Sequence, residues 1–268
     1  MVTLVCFALA ALLTFWLPKM PLPVRVTSLT KVSPARQMWL DIKEGLAFIA
    51  QDRILVKVIG NLTFATTVFM LVAALAPNFV STVIGLAPGQ IGYIVAPAGL
   101  GVIAGVILVP RLSSKFPREQ MIDAAVALGG VSLLLLALSR VILTAILAPN
   151  PVPEPLMVGV AGFLAATLGI FNALVLIPSQ MILQERSHEA IRARVFATFF
   201  TITSVVSFVP IFFAAAAADL FGVATVLAVV ALLLIAVGVG MAGMNIRRQR
   251  MRHDRVRTRH RQGPEAVQ

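Results

Sequence analysis

The residues that could do chemistry in this chain are few, and most lie outside its apolar runs. The three histidines, His188, His253 and His260, fall in segments rich in charge, and Cys6 is the single cysteine. A lone cysteine excludes an intramolecular disulfide and a cysteine-based metal site. No HExxH, GxSxG or Walker-type motif occurs, so the residues of a metalloprotease, a serine hydrolase or an ATP-driven protein are missing. We therefore predict no enzyme, no cofactor and no metal site.

A second group of candidates consists of uncharged polar side chains inside long apolar runs. Its members are Asn61, Thr66, Asn172, Gln180 and Thr203. In a membrane, such groups face a bundle interior or a water-filled cavity, because lipid leaves their hydrogen bonds unmade. A hydroxyl can instead bond to its own helix, whereas a carboxamide has too many donors and acceptors to satisfy locally. Cavity lining and simple packing both remain open for Asn61 and Asn172.

The composition indicates that the apolar runs belong to a membrane protein. Of the 268 residues, 59% are hydrophobic and only 12% are charged. A soluble domain carries about 25% charged residues, so this chain lacks the polar residues to cover a soluble surface. We predict an all-α membrane protein, because continuous apolar runs satisfy their backbone as helices and lack the alternation of a β-barrel.

Seven runs approach the roughly 20 residues that an apolar helix needs to cross a bilayer. Charges and prolines set their bounds at 2–17, 58–76, 91–109, 124–147, 156–182, 195–216 and 223–244. The first run has neither the positive n-region nor the small-residue cleavage site of a signal peptide. We therefore predict seven transmembrane helices, of which the first is short.

The cations predict an orientation. Of the 22 Lys and Arg residues, 21 lie in 18–57, in 111–119, in 184–194 and in the tail. Basic segments are retained in the cytoplasm, so the N-terminus is expected outside and the C-terminus inside the cell. Arg140 is the exception, and it lies close enough to the outer end of its span to snorkel. Asp123 and Asp219 are expected at the membrane interfaces.

Two cytoplasmic segments have patterns of their own. Within 35–53, apolar residues recur at helical spacing at Trp39, Ile42, Leu46 and Ile49. This pattern predicts an amphipathic helix on the inner membrane surface, with packing onto a soluble partner as the alternative. The tail at 247–268 carries eight arginines, and we expect a disordered arm attracted to anionic lipid. It has no Phe, Tyr or Trp to stack on RNA, so no nucleic-acid partner is predicted.

Small residues favour close helix packing in two spans. Gly101 and Gly105 form a GxxxG pair, and Gly162 and Gly169 place small residues on a later span. Such residues let helix backbones approach closely. Static packing and the sliding of one helix on another both fit this pattern.

Three segments resemble parts of a known membrane-protein family. They are the amphipathic stretch with Trp39, Glu44 and Gly45, the pair 183–186 and 192–195, and the basic loop with Arg111, Lys115 and Arg118. They resemble the central loop, the connector between helices ten and eleven, and a degenerate basic loop of bacterial major facilitator superfamily transporters, in the drug and siderophore exporter branch. The chain as a whole resembles the C-terminal half of that fold, from helix six to helix twelve.

The resemblance implies a domain organisation. A helix-six-like span at 1–17 and a cytoplasmic loop at 18–57 would precede a six-helix bundle at 58–246 and the basic tail. In that family two bundles rock about a site at the membrane midplane. We therefore expect an incomplete chain that needs an N-terminal half, missing or present as a separate chain.

The resemblance also implies residue roles. The five polar side chains named above would line a substrate cavity, and Gly101 and Gly105 would serve helix packing. Closure of the inner face would involve Arg111, Lys115, Arg118, Gln184, Arg192 and Arg194, with some of these cations pairing with acids of the other half.

The implied function is secondary active efflux of a small organic compound across a bacterial inner membrane by alternating access. The alternative is a non-transporting membrane scaffold or receptor that acts through its basic cytoplasmic segments. The loops predicted on the outer side are short and nearly uncharged, which argues against a receptor.

Overall fold

Long apolar runs bounded by proline, glycine and charge dominate this chain, and its structure is correspondingly helical. The computed structural model describes residues 7–9, 12–13, 34–187 and 189–261. From residue 34 onward the helices are α1 (Pro34–Gln51), α2 (Arg53–Phe79), α3 (Gly92–Ser113), α4 (Arg118–Leu147), α5 (Glu154–Arg186), α6 (Glu189–Phe221) and α7 (Val223–Arg261). No β-strand occurs in the described ranges. The prediction of an all-α membrane protein is confirmed.

Six helices in the described ranges are long and apolar enough to cross a membrane. They are Leu55–Ile84, Gly92–Ser113, Arg118–Leu147, Glu154–Arg186, Arg192–Phe221 and Val223–Gly243. They correspond to the six runs predicted from residue 58 onward. The first predicted span, at 2–17, lies outside the described residues except for the helical residues 7–9 and 12–13, and it stays a prediction.

Proline and glycine set several helix boundaries. Pro117 and Pro153 directly precede α4 and α5, where the fixed φ of proline suits the first helical turn and its missing N–H leaves no helix bond unmade. Gly85 and Gly222 have positive φ angles of 88° and 84°, which glycine adopts without steric cost. Gly85 ends the π-helical segment Val80–Ile84 that extends α2. Gly222 forms the turn between α6 and α7.

Glycine lets α3 and α5 touch through their backbones. A Cβ added to Gly101 would lie 1.9 Å from the Ala166 carbonyl oxygen, and one added to Gly105 would lie 2.8 Å from the Ile170 carbonyl oxygen. The contacts advance in the same direction along both helices, so α3 and α5 run parallel. We call this contact the α3–α5 seam.

α4 and α7 meet in a second glycine contact, which we call the α4–α7 seam. A Cβ added to Gly238 would lie 2.5 Å from the Ala127 amide nitrogen, and one added to Gly130 would lie 2.9 Å from Ile235. These contacts advance in opposite directions, so the helices are antiparallel. Neither glycine belongs to a GxxxG pair, and the sequence analysis did not predict this seam.

The end of α7 differs from the sequence-based expectation. The helix continues to Arg261, so the expectation of a disordered arm from residue 247 is wrong for 247–261. Residues 245–261 contain no glycine or proline, and they are rich in arginine, a good helix former. The helix of the last span therefore continues without a residue that would stop it. Attraction of the tail to anionic lipid stays a prediction.

The chain divides into two units, residues 1–39 and 40–268. In the second unit, the larger apolar cluster is centred on fully buried residues such as Leu133, Ala161 and Ala231. A smaller cluster, which includes Ile49 and Leu183, joins α1, α2, α5 and α6. The smaller cluster lies where most of the charged side chains of the bundle also gather.

Candidate functional site

The five polar residues predicted to line a cavity fall into two groups by burial. Asn61 and Thr203 are only 5% and 4% exposed. Thr66, Asn172 and Gln180 are half-buried. The half-buried side chains lie where a ligand could reach them, whereas the buried ones are enclosed by this chain. The lining role of all five stays a prediction.

Hydroxyl groups join α2 to α6. The Oγ1 atoms of Thr63 and Thr203 lie 3.2 Å apart, and Thr67 Oγ1 lies 2.6 Å from Ser207 Oγ. From the first pair to the second, the residue number rises by four on both helices, so α2 and α6 run parallel. Thr67 also lies 2.8 Å from the Thr63 carbonyl oxygen, to which its hydroxyl can donate. We call these two pairs the hydroxyl ladder; it engages the Thr203 hydroxyl in helix packing.

The two asparagines have different surroundings. The Asn61 Oδ1 atom is buried and has no hydrogen-bond partner among the described residues. Asn172 lines a cavity of about 50 Å³ whose other walls are apolar, Phe69 and Phe171 among them. A water molecule needs roughly 10–15 Å³, whereas a small-molecule site occupies roughly 300–1,000 Å³. The cavity at Asn172 has room for water but not for an organic ligand.

Ion pairs concentrate at one end of the bundle, formed by α1, the N-termini of α2, α4 and α6 and the C-terminus of α5. We call it the basic end. The pairs are Asp52 with Arg186 at 3.0 Å, Arg118 with Glu185 at 2.7 Å, Lys57 with Asp123 at 3.5 Å, and Glu44 with Arg194. Each pair joins two different elements, so together they fix the helix ends relative to one another.

α1 packs closely against α6. A Cβ added to Gly45 would lie 2.2 Å from Thr198 Oγ1 and 3.3 Å from the Arg194 carbonyl oxygen. One turn further on, Ile49 is buried in the smaller apolar cluster, together with Val195 of α6. One face of α1 therefore packs on its own chain, which neither of the two alternatives from the sequence foresaw.

Other positions on α1 have exposed apolar side chains. Leu40 and Leu46 are both exposed, although Leu46 belongs to the apolar stripe expected from the sequence. Contact of the exposed leucines with the membrane surface stays a prediction.

Asp123 is the candidate that the sequence analysis assigned to the membrane interface and that the structure buries. Its side chain is 2% exposed, and its Oδ2 atom lies 3.5 Å from Lys57 Nζ. A buried charge is stable only when it is paired and hydrogen-bonded, so the pair fastens the start of α4 to the start of α2. The signal that could have revealed it is Lys57, an opposite charge at the same depth on another span.

The residues predicted to close the inner face have unequal surroundings. Arg118 Nη1 lies 2.7 Å from both carboxylate oxygens of Glu185. Arg194 pairs with Glu44, and Arg192 makes a contact of 3.5 Å with the Ser187 carbonyl oxygen. All members of the set except the half-buried Arg118 are exposed. For Arg118 and Arg194 the structure thus provides acids from the same chain, and the gating role of the set stays a prediction.

Arg140 lies at the opposite end of the bundle. Its Nη1 atom donates to the carbonyl oxygens of Thr82 and Val83, at 3.2 and 3.0 Å. These carbonyls belong to the π-helical segment at the end of α2, where helical bonding stops. The guanidinium group thus reaches the end of its span, as expected for a snorkelling arginine, and ties α4 to α2 there.

Within the described ranges, no group of three or more His, Cys, Asp or Glu residues could hold a metal ion. The polar groups described above include the hydroxyl ladder, two asparagines, a glutamine and the ion pairs of the basic end. Such groups can bind or exclude a solute and can hold helices in position.

Comparison with known proteins identifies the family. The family model described as Major Facilitator Superfamily matches residues 1–210, which is most of the chain. No curated protein and no solved structure matches it. The match agrees with an all-helical multi-pass membrane protein that has six candidate spans in its described ranges. The chain belongs to the Major Facilitator Superfamily, a family of membrane transporters.

Proposed function

We propose that the chain forms one helix bundle of a secondary active exporter, which moves a small organic compound out of a bacterial cell by alternating access. Membership of the family supports transport in general. The structural observation that carries the mechanism is the pair of glycine seams, because they let the bundle move as a single body.

Alternating access requires a bundle that rocks without coming apart. In the two seams there is no room for a methyl group, with only 1.9 Å at Gly101 and 2.5 Å at Gly238 between an added Cβ and the facing backbone. Close-packed contacts of this kind shift between discrete arrangements and do not deform continuously. The seams therefore support rigid-body rocking over the sliding of α3 on α5 or of α4 on α7.

The cations of the basic end differ in their surroundings, which supports different roles for them. Arg118 and Arg194 pair with Glu185 and Glu44 of the same chain, so they hold this bundle together. Arg111 and Lys115 are exposed and can meet acids of a second bundle when the inner face closes. The second bundle is the N-terminal half of the fold, in the same polypeptide or in a separate chain.

The uncharged nature of the predicted lining supports an apolar or weakly polar substrate. Thr66, Asn172 and Gln180 are half-buried and carry no charge. The cavity beside Asn172 measures only about 50 Å³, so a substrate site of ordinary size needs a second wall from the partner bundle. On this proposal the basic end faces the cytoplasm of a bacterial inner membrane, because basic segments are retained there.

The proposal is tested with inverted inner-membrane vesicles that contain this chain together with the N-terminal half of the fold, in the same polypeptide or produced as a separate chain. Export from the cell becomes uptake into these vesicles, followed with a panel of lipophilic fluorescent dyes under an imposed ion gradient. Asn172→Ala is expected to lower uptake about fivefold, because a ligand loses a hydrogen bond worth roughly 1 kcal/mol. Thr144→Ala is the control, because the Thr144 hydroxyl bonds to carbonyls of its own helix.

Uptake that ignores the gradient, or is absent for every dye with folded protein, would contradict secondary active export. Equal uptake by the Asn172 variant, the Thr144 variant and the original protein would remove Asn172 from the cavity lining and leave the transport proposal standing. Thermal unfolding of each purified variant separates a loss of transport from a loss of folding.

A further inference from the structure

A slot of about 580 Å³ lies between α2, α6 and α7. Its walls include Val56, Gly60, Thr63, Thr67 and Leu71 of α2, Ile202, Val206 and Pro210 of α6, and Val230 and Leu233 of α7. Its volume falls within the roughly 300–1,000 Å³ of small-molecule sites. It is separate from the small cavity at Asn172, with which it shares only Val68.

The slot is longest along α2. From Val56 to Leu71 it follows α2 for 15 residues, which is about 22 Å along a helix and about three quarters of the hydrocarbon thickness. On α6 its lining extends over eight residues, from Ile202 to Pro210, or about 12 Å. A groove of this length suits an extended chain of methylene groups.

The side chains that line the slot offer a ligand no free hydrogen-bonding group. Among the described residues that line it there is no ionisable side chain, and its polar side chains are Thr63 and Thr67. Their hydroxyls are engaged in the hydroxyl ladder with Thr203 and Ser207. A ligand with polar groups would lose its hydrogen bonds to water without replacement, so the walls favour a hydrocarbon.

The slot opens to the surroundings through apolar residues. Val56, Val206 and Leu233 line it and are about half exposed, at 48%, 49% and 55%. On α6, Val209 and Phe213 are exposed on the same side, because helical residues three or four apart share a face. The rim of the slot is therefore apolar, which suits contact with lipid in a membrane.

We propose that the slot binds one acyl chain of a membrane lipid, lying along α2 between α6 and α7. The acyl chain fills a gap that the two helices leave open, and so it supports α6, which contacts Gly45 of α1 but has no glycine contact with α2 or α7. The site adds a structural lipid to the protein whether or not the proposed direction of transport holds.

The test uses the purified full chain in vesicles of phosphatidylcholine, a fraction of which has a photoreactive diazirine in mid-chain. After irradiation, mass spectrometry maps the labelled residues. We expect label on Val206 and on the Gly60–Thr67 stretch of α2, above the level on exposed Ile103 and Ile107 of α3.

Gly60→Leu is the blocking variant, and Gly99→Leu is its matched control. A Cβ added at either glycine meets nothing within 4 Å, and leucine favours a helix over glycine, so both variants should fold. The new side chain at position 60 displaces about two methylene groups of the lipid, which lowers slot labelling about tenfold. Gly99 lies on α3, away from the slot, and its variant should keep full labelling.

Equal slot labelling in both variants would overturn the proposal. Rapid reaction of Val206→Cys with a membrane-impermeant maleimide would overturn it too, because the slot would then open to water. Photocross-linked dimers through slot residues would instead assign the slot to a second copy of the chain and reject the lipid. If Gly60→Leu fails to fold, Val206→Trp narrows the slot from α6 and must give the same loss of labelling.

Discussion

The seam helices and α6 are attached to the bundle by different chemistry. In the α3–α5 and α4–α7 seams, backbones touch at Gly101 and Gly238. α6 contains no glycine between Glu189 and Phe221; it meets α2 through the hydroxyl ladder and leaves an open slot beside α7. Lipid tails are as apolar as leucine, so hydrophobicity does not decide which membrane helices close on each other. The comparison indicates that small residues make that decision here.

The largest effect is expected from a methyl group placed in the α3–α5 seam. Gly101→Ala should destabilise the protein by about 3 kcal/mol, because the added Cβ meets a backbone oxygen that no rotamer change can move. Gly99→Ala, two residues earlier, has open space at its Cβ and should be neutral or stabilise by up to about 1 kcal/mol. Unfolding of both variants in mixed detergent micelles measures the difference. Equal stability of the two would show that the seam is not closed.

A smaller effect is expected from the hydroxyl ladder. Thr67→Val should destabilise the protein by about 1 kcal/mol, because the Ser207 hydroxyl then loses its partner. Adding Ser207→Ala should cost little more, because the interaction has already been lost. The same unfolding measurement tests this. Additive losses from the two substitutions would mean that the two hydroxyls do not interact.

The smallest effect is expected where α1 meets α6 through exposed charges. Glu44 and Arg194 form an ion pair with both side chains well exposed, and such pairs contribute about 0.2–1 kcal/mol. A double-mutant cycle of Glu44→Gln and Arg194→Gln should give a coupling energy in that range, which falls in high salt. Hydrogen exchange of the α1 amides reports the local opening. A coupling well above this range would mean that α1 depends on the pair more than on the contact at Gly45.

Most of the helical plan was predictable from the sequence. The six described spans correspond to the apolar runs, because a run of that length must form its own backbone hydrogen bonds in lipid. Gly101 and Gly105 were singled out by their spacing, and they lie in the α3–α5 seam. Gly130 and Gly238 of the α4–α7 seam were not, because each acts without a second glycine one turn away.

The candidate site was predictable only in part. Asp123 stands at the edge of an apolar run, a position that suits the membrane interface, and its burial depends on Lys57 of another helix. Thr203 was expected to face a cavity, and its hydroxyl meets Thr63, 140 residues earlier in the chain. In both cases the missing information was the identity of a distant partner.

The sequence by itself determined that this protein is helical, crosses a membrane several times and keeps most of its charge at one end of its bundle. These properties follow from each segment alone, because apolar length, helix breakers and charge act locally on the choice between lipid and water. Only the tertiary structure decided that α1 docks on α6, that Asp123 is buried with Lys57 and that a slot opens beside α7. A helix presents several faces with similar apolar character, so the choice of neighbour depends on how the shapes of separate helices fit together.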